Sequence, residues 1–487
     1  MKEKPFYITT TLPYVNAEPH VGHALEFIRA DIIARWQSLT GHEVFFNTGT
    51  DEHGSKIYQK AAQAGISTQA FVDQNAAKFK ELLPLLGIQD KVNFVRTTDP
   101  HHIAAAQEFW RRVAKNGYIY KKDYASKYCV GCELEKTDSE LVNGRCPLHP
   151  LQELEIIQEE NYFFKFSAFG PKLAAFYEAH PDFVVPNFRY NEIKAFVSRG
   201  LEDFSISRLK SKMPWGIEVP DDPNQVMYVW FDALVNYISA IGWPDDQVRG
   251  ETVPGAFEKW WVLSGGVVQY CGKDNLRQQS AMWQAMLMAA GLPPSRTIVI
   301  DGFVTGEGGV KMSKSLGNTI DPLEIIHEYG TEAMRYFVSR ELSPFEDSPF
   351  TKEKFKEAYN ANLANGVGNL TSRIMKMAAD NLPQPISLPA VEYPEAYRQA
   401  MDAYNIQAAA NIIWQEIGEA DRIIQSQAPF KLVKTDREAA LLIISDLVAR
   451  LYKVAYLLAP ILPETAETIR GLVEGNSMPT APLFLRK

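Results

Sequence analysis

Phe6-Tyr7-Ile8-Thr9-Thr10-Thr11-Leu12-Pro13-Tyr14, then Pro19-His20-Val21-Gly22-His23, then Val44-Phe45-Phe46-Asn47-Thr48-Gly49, is the stretch that decides the fold. Phe6 to Thr11 is apolar and rich in aromatic and β-branched residues, which predicts a strand, and Leu12-Pro13 breaks it. From His20 onward Leu25, Ile28, Ile32 and Trp36 recur at i, i+3, i+7 and i+11, which predicts a helix with one apolar face. Gly41 stands where a helix C-terminal cap belongs. Val44-Phe45-Phe46 predicts a short buried strand ending at Asn47-Thr48-Gly49. Strand, loop, helix and strand in this order form half of a doubly wound nucleotide fold. Its loops and helix N-termini gather at the carboxyl ends of the strands.

Outward from this core, residues 116–217 interrupt the pattern with a cysteine cluster and an aromatic strand, Tyr162-Phe163-Phe164, and read as an insertion. Strand-like text resumes at 226–231, 261–263 and 297–300. Asp321-Pro322 supplies an N-cap and a first-turn proline for a helix ending near Gly330. From about 352 the periodicity is helical, broken by a loop with Pro383, Pro385, Pro389 and Pro394. The expected organisation follows. Residues 1–115 and 218–320 form a Rossmann-like α/β catalytic domain with a doubly wound parallel sheet. Residues 116–217 form a connective insertion, 321–351 a linker, and 352–487 an all-α bundle.

A chain of 487 residues is too long for one hydrophobic core. With 46% hydrophobic and 22% charged residues it has the make-up of an ordinary globular protein. No apolar run approaches the roughly 18 residues needed to span a bilayer, and no signal-peptide pattern opens the chain, so no membrane is expected. Four cysteines in this length do not make a disulfide framework, which points to a reducing cytoplasm. The net charge of −9 excludes a chain that is basic all over, but nucleic-acid binding depends on a local patch.

Two motifs carry chemistry together. His20-Val21-Gly22-His23 opens a helix, where free amide N–H groups already favour a polyphosphate, and its glycine leaves room for a flat base against the backbone. Lys311-Met312-Ser313-Lys314-Ser315 follows Gly306-Glu307-Gly308-Gly309, so two lysines on a glycine-tethered loop can neutralise charge as pyrophosphate leaves. The third motif is Cys129-Val130-Gly131-Cys132 with Cys146-Pro147-Leu148-His149. This spacing fits one closed, tetrahedral Cys3His zinc site with a structural role. Cys271, the remaining thiol, reads as a small buried residue.

The pair of motifs, HVGH near the start and KMSKS late, resembles the paired signatures of class I aminoacyl-tRNA synthetases. The surrounding text resembles the methionyl-tRNA synthetase family over essentially the whole chain: Gly49-Thr50-Asp51-Glu52-His53-Gly54, Asp203-Phe204-Ser205-Ile206-Ser207-Arg208, Tyr228-Val229-Trp230-Phe231-Asp232-Ala233 and Gly272-Lys273-Asp274. The resemblance implies Asp51 holding the substrate ammonium, with Leu12, Tyr14, Trp230, Ala233 and Tyr237 walling the side-chain pocket. It further implies Asp274 on the ribose, and His20, Gly22, His23, Lys311, Ser313 and Lys314 serving ATP with its Mg²⁺. One carboxylate for one ammonium and aromatic walls for a thioether are chemically apt.

In the helical third, Lys352, Lys354, Lys356, Arg373 and Lys376 give a basic bias, and Asn369-Leu370-Thr371-Ser372-Arg373 resembles the family's anticodon-reading helix. Gln427-Ala428-Pro429-Phe430 resembles a second anticodon element, with Phe430 where a tryptophan is usual, so stacking on a base is kept and an N–H donor lost. The resemblance implies methionine, ATP and tRNA(Met) as partners. No further domain follows the bundle, which ends at Lys487, so a monomer is expected. A paralogue with a changed amino acid or acceptor, and a tRNA-binding protein without activity, are the alternatives. The largest departure from the family lies four and five residues past Asp274. There an aromatic–histidine pair is usual, and Gln278 and Gln279 stand here. Either these glutamines point away or bond Tyr237, leaving methionine as the substrate, or they (Gln279 among the site residues) bond a polar side chain on another amino acid.

Overall fold

Six strands build the central sheet of a computed structural model that describes residues 4–132, 134–136, 140–248, 250–310, 312 and 320–487. They are β1 (Lys4–Thr10), β2 (His42–Thr50), β3 (Asn93–Arg96), β4 (Val184–Val185), β5 (Val267–Gly272) and β6 (Thr297–Asp301), in the order β3-β2-β1-β5-β6-β4. The β1–β2, β2–β3, β1–β5 and β4–β6 pairs are parallel. Such strands are covered on both faces and so read as apolar runs, as Tyr7-Ile8, Val267-Val268 and Ile298-Val299 do, all fully buried.

Contacts divide the chain into two units. One comprises residues 1–19, 41–82 and 91–300, the other 20–40, 83–90 and 301–487. In the first, residues of the expected insertion form an antiparallel sheet in the order Leu134–Lys136, Ile119–Cys129, Glu155–Phe164, Phe204–Ser205.

Several local expectations need correction. β2 is longer than the apolar Val44–Phe46 core, because half-buried His42 and Glu43 still pair with Lys4 and Pro5 of β1. The stretch at 226–231 is not one strand: Asp222–Met227 is extended, and Val229–Ala233 turns helical. That turn aims the Asp232 carboxylate at two buried imidazoles, a tertiary demand that overrides the β-propensity of Val229-Trp230-Phe231. Residues 261–263 belong to the helical segment Glu258–Leu263. β5 went unread, since Gln269 interrupts its apolar run; its side chain is buried among other amides.

In the second unit the helix α1 (Val21–Leu39) has His20 as its N-cap and buries Leu25, Ile28, Ile32 and Trp36. Gly41 follows the cap residue Thr40 with φ 88°, the left-handed position that ends helices. Arg29 of α1, buried, donates to the carbonyls of Val338, Leu342, Ser343 and Pro344 and lies 3.4 Å from the Asp301 carboxylate. Burial pushes the Asp301 carboxyl up to about 6, against the opposing pull of Arg29. Asp31, also on α1, meets Arg335 at 2.8 Å with both side chains fully buried. Asp321 caps the Pro322–Tyr329 helix through Leu323 N–H, and Gly330 ends it, as read from the sequence. The helices Asn369–Asn381, Glu395–Asp402, Ile406–Gln427, Arg437–Leu458 and Pro463–Glu474 complete this unit, with the proline-bearing loop between the first two. Among the described residues no helix is long and apolar enough to cross a membrane.

Candidate active site and metal centre

The strand order reverses between β1 and β5, and ligands of doubly wound sheets bind outside the carboxyl ends of the strands at such a point. Thr10 lies opposite Tyr270, and Thr11 N–H donates to Tyr270 O at 3.0 Å. Leu12-Pro13-Tyr14 therefore leaves β1 beside Gly272-Lys273-Asp274 leaving β5. Asp51, just past β2, is latched to the same loop. It forms a parallel bridge with Tyr14, its N–H donates to Pro13 O (2.9 Å), and its carbonyl accepts from Val15 N–H (3.2 Å). Leu12 and Asp51 are buried and Tyr14 half-buried, whereas Asp274 stands exposed in the turn Lys273–Asn275.

Beneath Asp51, the fully buried carboxylate of Glu52 takes a two-pronged grip from Arg96 (2.6 and 2.8 Å) and hydrogen bonds from Thr50 and Thr98. A charge buried this way is held by a fork of donors that fixes its geometry. Trp230 and Ala233 sit on the helical turn Val229–Ala233, and Tyr237 on the next, where Tyr7 donates its hydroxyl to Tyr237 O at 2.9 Å. The Trp230 indole N–H is buried with no acceptor among the described residues. Gln279, fully buried, donates its amide to the Tyr237 hydroxyl at 2.7 Å, one of the two geometries the sequence left open.

Three residues that the sequence reading did not single out as site residues lie behind this wall. Asp232 accepts from His53 Nδ1 (2.7 Å) and His102 Nε2 (2.9 Å), and His102 Nδ1 meets Ser239 Oγ at 2.9 Å. Burial alone would raise the Asp232 carboxyl, but the two imidazoles outweigh it and hold it below the ordinary aspartate range. His53 and Asp232 each lie inside a stretch quoted above, and only their pairing in space marks them.

At the start of α1 the two histidines of HVGH cap the helix themselves. Gly22 N–H donates to His20 Nδ1 (3.1 Å), His20 N–H donates to His23 Nδ1 (3.2 Å), and the rings stack 3.8 Å apart. Gly22 is required for this, since a Cβ there would lie 2.9 Å from His20 Cε1. The space expected to admit a flat base is taken by the His20 ring. Loss of water around the His23 ring, then the neighbouring His20, hold its pKa well below the usual histidine value. With Nδ1 accepting, each neutral ring carries its hydrogen on Nε2, a donor suited to phosphate oxygen. Of the late motif, Lys311, Ser313 and Lys314 lie outside the described residues. The turn leading to it is described: Gly308 and Gly309 have φ 68° and 78°, and Gly306 N–H donates to Val310 O at 2.7 Å.

Cys129, Cys132, Cys146 and His149 converge, with all four ligand atoms within 4.8 Å of one another. Cys132 Sγ is 3.4 Å from Cys146 Sγ and 3.2 Å from His149 Nδ1. Tetrahedral zinc with bonds of about 2.3 Å sets such edges near 3.8 Å, so the donor set and spacing fit one zinc ion. Gly131 makes room, since a Cβ there would lie 2.4 Å from His149 Cγ, and Lys56 Nζ ties the loop down through Gly131 O at 2.7 Å. Burial, then the neighbouring Cys146, push the Cys132 thiol up to about 12, the situation a divalent cation reverses by stabilising thiolates. Elemental analysis is expected to give one zinc per chain. Cys129→Ser or His149→Ala releases it and lowers the thermal midpoint; a metal-free protein equally stable and active would refute the site.

The family model described as tRNA synthetases class I (M) matches residues 6–154 and 151–375. The chain belongs to this family of class I synthetases. The methionine–tRNA ligase of Thermosynechococcus vestitus is 41% identical over 482 residues, 96% of this chain and 89% of that protein. That of Rhizobium meliloti is 40% identical, covering 96% and 92%. The fold is similar to Mycobacterium tuberculosis methionyl-tRNA synthetase in complex with methionyl-adenylate, with TM-score 0.88, 36% identity and 99% and 100% coverage. The free state of that enzyme gives 0.82 at 32% identity, covering 100% of this chain and 98% of that one.

In this class I synthetase the residues expected at an anticodon lie in the second unit. Asn369 is exposed at the first position of the Asn369–Asn381 helix, and Arg373, one turn on, is ion-paired with Asp421 of the Ile406–Gln427 helix. Phe430 is 50% exposed, held in the open by the left-handed Ala428 (φ 43°) that ends that helix. The basic bias is smaller than the sequence suggests, because Lys352 pairs with Glu324 and Lys376 with Asp380.

Proposed function

We propose that this chain is a methionine–tRNA ligase, joining methionine to the 3′-terminal ribose of tRNA(Met) at the expense of ATP, and that it acts as a cytoplasmic monomer. The observation that carries the reading is the 41% identity over 96% of the chain to a methionine–tRNA ligase. The buried Asp51 latched to Tyr14 at the reversal of the sheet gives it a chemical footing. Asp51 would hold the ammonium of methionine, while Leu12, Tyr14, Trp230, Ala233 and Tyr237 enclose its side chain. The methionine carboxylate attacks the α-phosphorus of MgATP in line. The bond to the bridging oxygen breaks, and pyrophosphate leaves with its charge met by the Nε2–H groups of His20 and His23 and by Lys311, Ser313 and Lys314. Asp274 would bond the ribose. The terminal hydroxyl of the tRNA then attacks the methionyl carbonyl and AMP departs. Positioning and charge stabilisation are what such a site contributes.

Zinc fits the Cys129, Cys132, Cys146 and His149 set, which would hold it closed and away from the reaction as a structural clamp. The decisive test is ATP–pyrophosphate exchange across all twenty amino acids: methionine alone should support it, and exchange with another amino acid in its place would overturn the assignment.

Asn369 and Arg373 would meet anticodon base edges, with Phe430 stacking on a base. Asp421 holds the Arg373 guanidinium in place, so the arginine is presented in a fixed pose. Asn369→Ala or Arg373→Ala should each lower tRNA charging by roughly 5- to 150-fold, by analogy with loss of a bidentate base contact worth roughly 1–3 kcal/mol. Methionine activation should stay within about twofold. Loss of both steps together would remove these residues from RNA reading.

A further inference from the structure

Asp301 is the last residue of β6 and the start of the segment that runs to Lys311-Met312-Ser313-Lys314-Ser315. Its side chain is 3% exposed, and neither carboxylate oxygen has a hydrogen-bond partner among the described residues. The Arg29 guanidinium lies 3.4 Å away, and its own buried Nε–H likewise meets no acceptor among them. A buried carboxylate is ordinarily wrapped in donors, as Glu52 is. Asp301 has a charge partner without the hydrogen bonds.

Arg29 is occupied elsewhere. The carbonyls it serves, those of Val338, Leu342, Ser343 and Pro344, form the last turn and the exit of the helical stretch made by Thr331–Tyr336 and Phe337–Glu341. Carbonyls at a helix end lack a partner within the helix, and a cation is favoured there. The same exit turn holds the segment that follows Asp301. Gly302 N–H donates to Pro344 O (3.2 Å), Ser348 N–H to Phe303 O (2.9 Å), Phe350 N–H to Thr305 O (2.9 Å), and Phe303 N–H to the Asp347 carboxylate (3.0 Å). A Cβ on Gly302 would run into Glu346 O, so only glycine permits this approach. Because the terminal nitrogens of Arg29 are taken by carbonyls, charge is what draws Asp301 and the end of β6 toward α1, the helix that His20 caps.

Such a pair is a poor stabiliser, since attraction between buried charges offsets their desolvation only with good hydrogen-bond geometry. The Asp301 carboxyl, at about 6, lies above the ordinary aspartate range, so above that pH its charge works against folding. Stability given up in this way is characteristic of groups kept for activity. Arg29, Asp301, His20 and His23 all belong to the second unit, whereas Asp51, Trp230 and Tyr237 belong to the first. We propose that Arg29 and Asp301 are positioning residues whose charges hold the HVGH helix and the root of the segment leading to KMSKS at a fixed separation. The pair sets the groups that handle the phosphates of ATP and leaves the methionine pocket alone. This rests on the assignment of both motifs to ATP in the methionine reading above.

Asp301→Asn keeps the shape of the side chain and removes its charge. At neutral pH the thermal midpoint of the full chain should equal or exceed that of the unaltered protein. The kcat of methionine-dependent pyrophosphate exchange should fall roughly 10- to 100-fold, the range for a small misplacement of groups at a reacting centre, while KM for methionine stays within about twofold. Exchange at the unaltered rate would show that the carboxylate does nothing for the reaction. A fall in kcat together with a lowered midpoint, or with a raised KM for methionine, would reduce the pair to packing. Either result overturns the proposal. Absence of methionine-dependent exchange in the unaltered protein would instead refute the functional reading.

Discussion

Asp51→Asn lowers methionine-dependent pyrophosphate exchange by on the order of 10²–10³-fold. Removing one partner of a buried charge pair costs about 3–5 kcal/mol, because the ammonium is left desolvated and unmatched. Asparagine keeps the size of the side chain and leaves untouched the backbone bonds to Pro13 and Val15 that hold the position. The loss therefore falls on substrate and not on fold. The effect should appear in kcat/KM for methionine, with ATP binding measured separately within about twofold of the unaltered protein. Exchange at the parental rate would take Asp51 out of the amino-acid site.

Arg335→Met destabilises the second unit by about 3–5 kcal/mol, the range for breaking a buried ion pair, because it leaves four carbonyls without their donor and Asp31 with Arg35 (2.7 Å) as its one remaining ion-pair partner among the described residues. Arg335 is fully buried. Besides Asp31 it serves four carbonyls: Ile461 (2.8 Å), Pro460 (3.1 Å), Leu86 and Gly87 (both 3.3 Å). It thereby joins α1 to the 437–458 and 463–474 helices through the turn between them. Hydrogen exchange across these helices should accelerate on the scale of 10²–10³-fold where opening is limited by this unit. The double change Asp31→Leu with Arg335→Met should recover part of the loss, since no buried carboxylate remains and the charge left over, Arg35, is partly exposed to water. Unaltered protection in the single variant would show that the ion pair carries no net stability.

Legibility differed from element to element, for physical reasons. α1, its start at the HVGH motif and its end before Gly41 were readable because helix periodicity and the glycine that ends a helix are local properties of consecutive residues. The zinc ligands were readable for a similar reason: tetrahedral thiolate chemistry imposes its spacing on the chain. The helical turn at Val229–Ala233 was not, because its cause is a carboxylate reaching His53 and His102, far away in sequence. β5 was not either, because Gln269 looks like a break until its partners are known.

The site shows the same division. By itself the sequence determined which residue types are present for adenylation, the HVGH and KMSKS text, Asp51, and the aromatic wall. It also determined the class of fold, since each of these signals is written in neighbouring residues. Only the tertiary structure decided that Gly22 yields its space to the His20 ring, that Asp232 sits between two imidazoles, and that Gln279 turns its amide toward Tyr237. A hydrogen bond has a direction and a length of about 3 Å, and sequence separation carries neither. Gln279 reads as a polar intrusion in a pocket until Gln269, Ser295 and Gln284, up to 26 positions apart in the chain, are brought within reach to orient it.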